Sequence, residues 1–262
     1  MSQHVARKRF GQNFLIDQQV IADIVNAVAP GRTDCVVEIG PGLGALTDPL
    51  LKRLDHLHVI EIDRDIIVRL KQRYSPDRLT IHEGDALTFD FAAFSQDSSA
   101  GLHIVGNLPY NISTPLLFHL LAQRELIHDM HFMLQKEVVD RLAASPGSKT
   151  YGRLSVMVQY YCTVEPLFDV PPSAFVPPPK VDSAIVRLTP RAHIEPVAKD
   201  PALLENLVNL CFQQRRKTLR NCLKTLVEPQ HMDDLGAPLS ARPETLAVAD
   251  FVALSNRIGA LP

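Results

Sequence analysis

The stretch CVVEIGPGLG, residues 35–44, decides the fold of this chain. Its apolar start predicts a buried strand, and its glycines predict a loop that leads into a helix over about residues 45–54. A strand, a glycine loop and a helix in this order open a nucleotide-binding βαβ unit. Glycine lets a ligand approach the main chain closely, so Gly40 and Gly42 are predicted to contact a cofactor. With Ala45 they also satisfy the dinucleotide pattern G-x-G-x-x-G/A, which leaves the identity of the cofactor open.

The alternation of strand and helix repeats along the chain and predicts an α/β fold with a parallel sheet. Apolar runs predict strands at 58–63, 79–82, 102–106, 130–134 and 181–188, and helical periodicity predicts helices at 18–29, at 64–73, from 113 onward and at 136–144. Composition shifts over residues 189–199, and the remainder has a helical pattern. We therefore predict a cofactor-binding domain over residues 1–190 and a small helical domain over residues 191–262.

Acidic residues lie near the end of one predicted strand and shortly after the next. Glu61 comes 21 positions after Gly40, where an acid would hold the ribose hydroxyls of a nucleotide cofactor. NAD and S-adenosylmethionine both carry that ribose. Asp85, with Ala86 beside it, follows the next strand, and its carboxylate can accept a hydrogen bond from a cofactor adenine. The alternatives are a solvated strand end for Glu61 and an ordinary turn for Asp85.

The tetrapeptide Asn107-Leu108-Pro109-Tyr110 follows the strand at 102–106 and precedes a helix start, so it lies where open α/β sheets bind ligands. The Asn107 side-chain carbonyl is one hydrogen-bond acceptor, and the main-chain carbonyl of Leu108 or Pro109 is a second. Tyr110 offers a flat face for stacking. Two acceptors and one ring suit the exocyclic amine of a base, although Asn and Pro are also common in plain turns.

These features leave two enzyme classes open. A dehydrogenase needs a nicotinamide site and usually a positioned His or Lys, and no such residue accompanies 107–110. A methyltransferase needs less, because the methyl donor is already activated and catalysis is mostly positioning of the nucleophile. Two acceptors on an adenine amine would favour its pyramidal form and stabilise the positive charge that grows on nitrogen. The residues therefore favour an adenine-amine methyltransferase.

Bulk composition restricts the setting. The chain has 262 residues and 46% hydrophobic content, enough for one large domain with a small second one. No apolar run reaches the length of a membrane span, and the first residues lack a signal-peptide core, so the cytoplasm is expected. The four cysteines form no CxxC pair, so no metal site is predicted. Because the net charge is −2, nucleic-acid binding would require clustered basic residues.

Basic residues cluster in two places. An amino-terminal arm and a predicted basic helix face supply Arg7, Lys8, Arg9, Arg215, Arg216, Lys217, Arg220 and Lys224. Arg216, Arg220 and Lys224 recur at helical spacing beside an apolar stripe. A charge run is usually a solvated face, but here no acid intervenes, which favours contact with RNA. A proline-rich segment at 170–180 is predicted to be stiff and to hold Phe175 in a fixed place.

Eight motifs together carry a family resemblance: RKRFGQNFL at 7–15, VEIGPGLG at 37–44, VIEID at 59–63, GNLPYNISTP at 106–115, HFMLQKEVV at 131–139, YGRLSVM at 151–157, PPSAF with PPPKVDSA at 171–184, and QRRKTLRN at 214–221. Over residues 7–225 the chain resembles the bacterial small-subunit rRNA adenine dimethyltransferases, the kasugamycin-sensitivity enzymes. The resemblance implies a Rossmann-like, seven-stranded class I S-adenosylmethionine-dependent methyltransferase sheet with a small all-helical C-terminal domain.

The resemblance also implies roles for individual residues. Cofactor contacts map onto Asn13, Leu15, Gly40, Glu61, Asp85 and Asn107, while Tyr110 and Phe175 match aromatic residues that sandwich the target base. The implied reaction adds two methyl groups to each of two adjacent adenosines in the 3′-terminal hairpin of 16S rRNA, late in subunit assembly. The implied partner is this rRNA in the assembling small subunit, with no membrane and no metal, and the protein is expected to be a monomer.

Two other functions stay open beside the dehydrogenase. Erm-type large-subunit rRNA methyltransferases share the clamp of Asn, a hydrophobic residue, Pro and an aromatic residue, but the agreement after residue 130 and at 214–221 favours the small-subunit enzymes. The second candidate function is that of an RNA-binding assembly factor with an inactive site, and the intact clamp argues against this function.

Overall fold

A computed structural model describes residues 13–94, 100–214 and 216–261. The chain forms two compact units. One unit comprises the described residues up to Val139 together with Glu165–Pro190, and the other comprises Asp140–Val164 and the described residues from Arg191 onward. The second unit thus includes a segment that precedes the domain boundary predicted at residue 190.

A seven-stranded sheet has the order β4-β3-β2-β5-β6-β9-β7. Its strands are β2 (Val36–Ile39), β3 (Leu57–Glu61), β4 (Leu79–Glu83), β5 (Leu102–Asn107), β6 (Ile127–Gln135), β7 (Cys162–Val170) and β9 (Ser183–Pro190). The pairs from β4 through β6 are parallel, and β9 joins β6 in antiparallel orientation. The predicted α/β class and its seven strands are confirmed.

The strand order creates the ligand-binding edge. From β2 the chain proceeds outward through β3 to β4, and then returns to place β5 on the other side of β2. The order therefore reverses between β2 and β5, and ligands of open sheets bind at the carboxyl ends of strands beside such a reversal. The glycine loop follows β2 at this point, and Asn107 is the last residue of β5.

Helices cover the predicted positions, with shorter ends in places. They are α1 (Gln18–Val28), α2 (Thr47–Leu51), α3 (Arg64–Arg73), α4 (Ser113–Ala122), α5 (Lys136–Leu142), α6 (Arg153–Tyr161), α7 (Pro201–Gln213), α8 (Leu219–Cys222) and α9 (Val248–Ile258). Asp63 accepts a hydrogen bond from the main-chain N–H of Asp65 and so caps α3. Among the residues that the structure describes, no helix is long and apolar enough to cross a membrane.

A two-stranded ribbon was not predicted. β1 (Phe14–Leu15) pairs in antiparallel orientation with β8 (Phe175–Val176), and Ile16 N donates to Ala174 O at 2.9 Å. Each strand has only two residues, too few for a periodic pattern to show in the sequence. The ribbon ties the amino-terminal segment to the proline-rich segment.

The basic helix was predicted wrongly in one respect. Arg216, Arg220 and Lys224 do not share one continuous helix, because α8 spans a single turn and a 3₁₀ turn at Leu223–Thr225 follows it. Thr218 has extended backbone angles (φ −72°, ψ 159°) and forms the start of α8. The main-chain N–H groups of Leu219 and Arg220 donate to the carbonyls of Ala241 and Leu239 instead of to the preceding turn, which accounts for the break.

Candidate active site

A cleft of about 630 Å³ opens at the carboxyl ends of β2, β3 and β5. This volume is in the range of small-molecule and cofactor sites. The cleft brings together predicted residues that are far apart in sequence: Asn13, Leu15, Gly40, Gly42, Glu61, Asp85, Ala86, Asn107, Leu108, Pro109 and Tyr110. Of the predicted cofactor and catalytic residues, Phe175 is the one absent from its lining.

The glycine loop after β2 has a conformation that side chains would disturb. φ is positive at each glycine of residues 40–44, between 55° and 89°. A Cβ at Gly44 would lie 2.6 Å from the Tyr74 hydroxyl oxygen. That hydroxyl donates to Asp48 Oδ1 at 2.7 Å, and Arg73 Nη1 donates to Leu43 O at 3.0 Å. The end of α3 therefore supports the loop, through residues that no motif had singled out.

Glu61 ends β3 at the cleft wall and is 7% exposed. Its Oε1 accepts hydrogen bonds from the main-chain N–H groups of Ile62 and Asp63, both at 2.8 Å. Burial raises the pKa of this carboxyl group, while those main-chain donors lower it. A carboxylate has about four lone-pair positions, so Glu61 is held in place and keeps the capacity to accept hydroxyl donors from a ligand.

Glu38 lies inside β2, lines the same cleft and is 2% exposed, yet sequence reasoning did not select it. Thr47 Oγ1 donates to Glu38 Oε2 at 2.6 Å. Burial raises the pKa of Glu38 to about 8, although the Thr47 hydrogen bond acts in the opposite direction. The nearby carboxylates of Glu61 and Asp48 raise it further. An acid within an otherwise apolar strand was the available signal in the sequence.

Asp85 and Ala86 lie on a turn after β4. Asp85 Oδ1 accepts from Leu87 N at 2.9 Å, and Thr88 N donates to the Asp85 main-chain carbonyl at 3.1 Å. Asp85 is exposed while Ala86 is buried. The carboxylate is therefore fixed by its own turn, with access to the cleft.

The amino-terminal segment forms another part of the cleft wall. Asn13, Phe14 and Leu15 line it, and a Cβ at Gly42 would lie 3.5 Å from the Phe14 ring. β1 thus holds an aromatic ring beside the glycine loop. The resemblance had selected Asn13 and Leu15 but not Phe14.

Asn107 ends β5, and its side-chain amide has a defined orientation. Nδ2 donates to the main-chain carbonyl of Asn13 at 3.2 Å. Within the described chain nothing donates to Oδ1, so the oxygen is the atom that a ligand amine can use. This orientation fits the predicted acceptor role.

The two candidate main-chain acceptors differ in their surroundings. Pro109 O accepts from Ile112 N at 3.1 Å and closes a turn. The Leu108 N–H donates to Met133 O at 3.2 Å, and no described N–H donates to the Leu108 carbonyl. Of the two carbonyls, that of Leu108 therefore has the larger free hydrogen-bonding capacity.

Tyr110 is partly buried at the cleft, and both of its ends are anchored. Its hydroxyl lies 2.9 Å from Oγ of Ser183, the first residue of β9, and Ser113 Oγ donates to its main-chain carbonyl at 3.0 Å. Ser183 is fully buried. The hydroxyl and the main chain of Tyr110 are thereby held in place beside the cleft.

Phe175 does not reach the cleft. It is 3% exposed, pairs with Leu15 in the β1–β8 ribbon and belongs to the hydrophobic core beside Val170 and Ala174. Its part in stacking on a base stays a prediction, since Leu15 of the same ribbon belongs to the same core and also lines the cleft. Tyr110 is the aromatic residue of the predicted pair that lies at the cleft.

The predicted RNA-binding residues are in different situations. Arg7, Lys8, Arg9 and Arg215 lie outside the described residues. Arg216, Lys217 and Lys224 are exposed. Arg220 is exposed as well but forms an ion pair with Asp233, at 2.6 Å.

Comparison with known proteins decides the family. The sequence profile of the ribosomal RNA adenine dimethylase family matches residues 3–258. The chain belongs to this family. The match extends beyond residue 225, where the resemblance seen in the sequence ended. "Ribosomal RNA small subunit methyltransferase A" of Dechloromonas aromatica is 57% identical over 98% of this chain and 99% of its own length. The protein of the same name from Chromobacterium violaceum is 60% identical, over 98% and 97%.

Solved structures agree with this membership. A dimethyladenosine transferase from Plasmodium falciparum is 30% identical with a TM-score of 0.78, over 92% of this chain and 95% of its own. The 23S rRNA methyltransferase ErmE is 26% identical with a TM-score of 0.69, over 94% and 100%. As a ribosomal RNA adenine dimethylase, the protein is an S-adenosylmethionine-dependent rRNA methyltransferase with the class I fold. The dehydrogenase alternative is thereby excluded.

The cleft of this dimethylase fits S-adenosylmethionine by its own chemistry. Its volume is adequate, the glycine loop leaves main chain open to a ligand, and carboxylates at Glu61 and Asp85 are acceptors for sugar hydroxyls and an adenine amine. When bound, the cofactor supplies a methyl group on a positively charged sulfur.

Replacing Glu61 by alanine is expected to weaken binding of S-adenosylmethionine and of its demethylated product by roughly 1.5–3 kcal/mol, the range for hydrogen bonds to a charged group. Isothermal titration calorimetry measures this loss. Glu83→Ala is the matched control, since Glu83 pairs with Glu61 across β3 and β4 but is not part of the cleft lining. Equal affinity of Glu61→Ala and the parent would contradict the assignment, as would tighter binding of NAD than of S-adenosylmethionine.

Proposed function

We propose that this protein dimethylates the exocyclic amines of two adjacent adenosines in the 3′-terminal hairpin of 16S rRNA, late in assembly of the small ribosomal subunit. The amide of Asn107 carries this proposal, because its nitrogen is engaged by Asn13 and its oxygen faces no described donor. The Leu108 carbonyl is the second acceptor. The chain is 57% and 60% identical, over 98% of its length, to proteins named as small-subunit methyltransferases. This similarity supports small-subunit rRNA as the substrate over the large-subunit rRNA of the Erm-type enzymes.

Each residue has one task in the proposed reaction. Asn107 Oδ1 and the Leu108 carbonyl accept the two hydrogens of the adenine amine, which makes the nitrogen lone pair available and stabilises growing positive charge. The Tyr110 ring stacks on the base, a contact worth roughly 1–3 kcal/mol. Gly40, Gly42, Glu61, Asp85 and Ala86, with Asn13 and Leu15, hold the cofactor. No covalent nucleophile is needed, because catalysis consists of positioning.

The proposed setting is the bacterial cytoplasm, where small subunits assemble, and the proposed active form is a monomer. A direct test measures transfer of labelled methyl groups from S-adenosylmethionine to small subunits and large subunits prepared from cells that lack the modification. We expect up to four methyl groups per small subunit, two on each adenosine, and none on the large subunit. Methylation of 23S rRNA instead would support the Erm-type function, and no transfer to either would support an inactive assembly factor.

We expect the exposed basic residues to contact RNA phosphates. Neutralising Arg216, Lys217 and Lys224 together should lower the salt slope of log affinity for small subunits by up to about 3, since each phosphate contact contributes up to about 1. Arg220→Ala should have a smaller effect, because its charge is already shared with Asp233. Binding is measured by filter retention at several salt concentrations.

Lys199→Ala removes an exposed cation from the same unit and controls for net charge. Affinity for S-adenosylmethionine serves as a second control and should stay unchanged in the triple variant. If the triple variant keeps the parent's salt slope, these residues are a solvated surface.

A further inference from the structure

A second cluster of polar side chains lies at the amino-terminal ends of β5 and β6. The cleft lies at the opposite, carboxyl ends of the parallel strands. His103 Nδ1 lies 2.9 Å from Asp129 Oδ1, and His128 Nδ1 lies 3.2 Å from Asp129 Oδ2. One ligand atom from each of the three residues lies within 4.8 Å of the others. Two imidazoles thus share one carboxylate.

An irregularity in the sheet brings these side chains together. Leu102 pairs with Ile127, but the next pair is His103 with Asp129, so His128 is an extra residue without a direct partner. A bulge of this kind redirects a side chain that regular alternation would send to the other face. Gly101 permits the close packing there, since a Cβ at that position would lie 3.0 Å from His128 N.

The cluster also contains a buried histidine whose ring nitrogens need hydrogen-bond partners. His131 is 2% exposed, and its Nδ1 lies 3.4 Å from Asp129 Oδ1. Apart from this long contact with Asp129, neither ring nitrogen has a hydrogen-bond partner among the described residues. An imidazole buried in this way is costly unless something satisfies it. On the outer side, Asp34 Oδ2 lies 3.5 Å from His103 Nε2.

We propose that His103, His128 and Asp129 form a binding site for a divalent transition-metal ion of the zinc class. Two imidazole nitrogens and one carboxylate oxygen are typical zinc ligands, with bonds of about 2.0–2.2 Å, and a water completes a tetrahedral site. Asp34 and His131 then serve as outer partners that orient the ligands.

The burial pattern suits an ion that enters from solvent. The side chains of His103 and Asp129 are each 12% exposed, whereas that of His128 is 53% exposed and leaves the cluster accessible. The ion takes the position between Nδ1 of each imidazole and the carboxylate, and each imidazole binds it in the neutral form with its hydrogen on Nε2. Because the ion joins β5 to β6 far from the reacting amine, its effect is on stability and not on methyl transfer.

The test uses the full chain without a histidine tag and titrates it with Zn²⁺ by calorimetry and with Co²⁺ by visible absorption. We expect one ion per chain, a tetrahedral Co²⁺ spectrum and a rise in melting temperature with Zn²⁺. His128→Ala removes an accessible ligand and should weaken Zn²⁺ binding by at least about tenfold. His103→Asn is a second variant with the same expectation, and His193→Ala, an exposed histidine in the other unit, is the matched control.

Two results would overturn the site. One is no stoichiometric Zn²⁺ binding by the parent at hundredfold excess. The other is binding that survives unchanged in both His128→Ala and His103→Asn, which would place the ion elsewhere. Melting temperatures without metal show whether each variant is folded, so a loss of binding is interpreted only against a folded protein.

Discussion

Replacing Asn107 by alanine is expected to slow single-turnover methylation at saturating cofactor by about 10²–10³-fold. Losing one preorganised group that acts on developing charge costs this much in other enzymes. In this protein the Asn107 oxygen is that group, because the amide nitrogen is committed to the Asn13 carbonyl. Some affinity for cofactor is expected to fall as well, since both asparagines line the cleft. The measurement is the rate of labelled methyl transfer to unmodified small subunits.

A second substitution separates the two functions of this amide. Asn107→Asp keeps an acceptor for the amine but cannot donate to the Asn13 carbonyl. If the acceptor matters most, the aspartate variant should retain clearly more activity than the alanine variant. Asn206→Ala, an exposed asparagine on α7, controls for general effects, and circular dichroism checks folding. An alanine variant within about threefold of the parent rate would rule out the amine clamp.

Much of the site could be predicted because the fold converts sequence position into spatial position. Residues that follow parallel strands arrive at one sheet edge, so Gly40, Glu61, Asp85 and Asn107 could be expected to meet there from the order of strands and helices alone. The cleft lining contains all four. The order of strands and helices predicts where these residues lie but not how their side chains are oriented. The orientation of the Asn107 amide depends on its hydrogen bond to Asn13, 94 positions away in sequence.

The errors and omissions have a common physical origin in contacts without a local pattern. The family resemblance implied that Phe175 contacts the target base, but its pairing with Leu15 in a two-residue strand, where it is 3% exposed, has no signal in the sequence. The support of the glycine loop by Tyr74 depends on a hydrogen bond to Asp48, 26 positions away. The histidine cluster depends on a one-residue shift in strand register at His128. Single-residue periodicity carries no information on any of these.

The basic residues of the second unit were only partly predictable, because a helix break and an ion pair change which of them are available. The spacing of Arg216, Arg220 and Lys224 is helical, and no acid lies between them in sequence. Thr218 nevertheless interrupts the helix, and Asp233 reaches Arg220 from a later turn. A charge pattern along the chain therefore overestimates the number of cations available to RNA.

Glu38 provides a prediction about pH. Burial raises its pKa from 4.5 to about 8 in the folded protein. A folded-state pKa above the unfolded value means that the folded protein holds the proton more tightly. The contribution of this proton to the free energy of unfolding is therefore complete below the pKa of the unfolded state, and it is lost as pH rises towards 8. At 1.36 kcal/mol per pKa unit, a shift of this size corresponds to a loss on the order of 5 kcal/mol across that window.

Glu38→Gln is expected to remove this pH dependence, because glutamine has nearly the same shape and no proton to lose. Urea unfolding of the cofactor-free protein between pH 5 and pH 9 measures it, and the difference in unfolding free energy between variant and parent is the quantity to follow. We expect that difference to shift in favour of the variant as pH rises, since only the parent must then either ionise a buried carboxyl group or hold its proton. Glu228→Gln, which removes an exposed negative charge in the other unit, should instead give a difference that does not vary with pH. If the unfolding free energies of Glu38→Gln and the parent change in parallel with pH, Glu38 is ionised in the folded protein. The cleft would then present two buried carboxylates, Glu38 and Glu61, to a cationic cofactor.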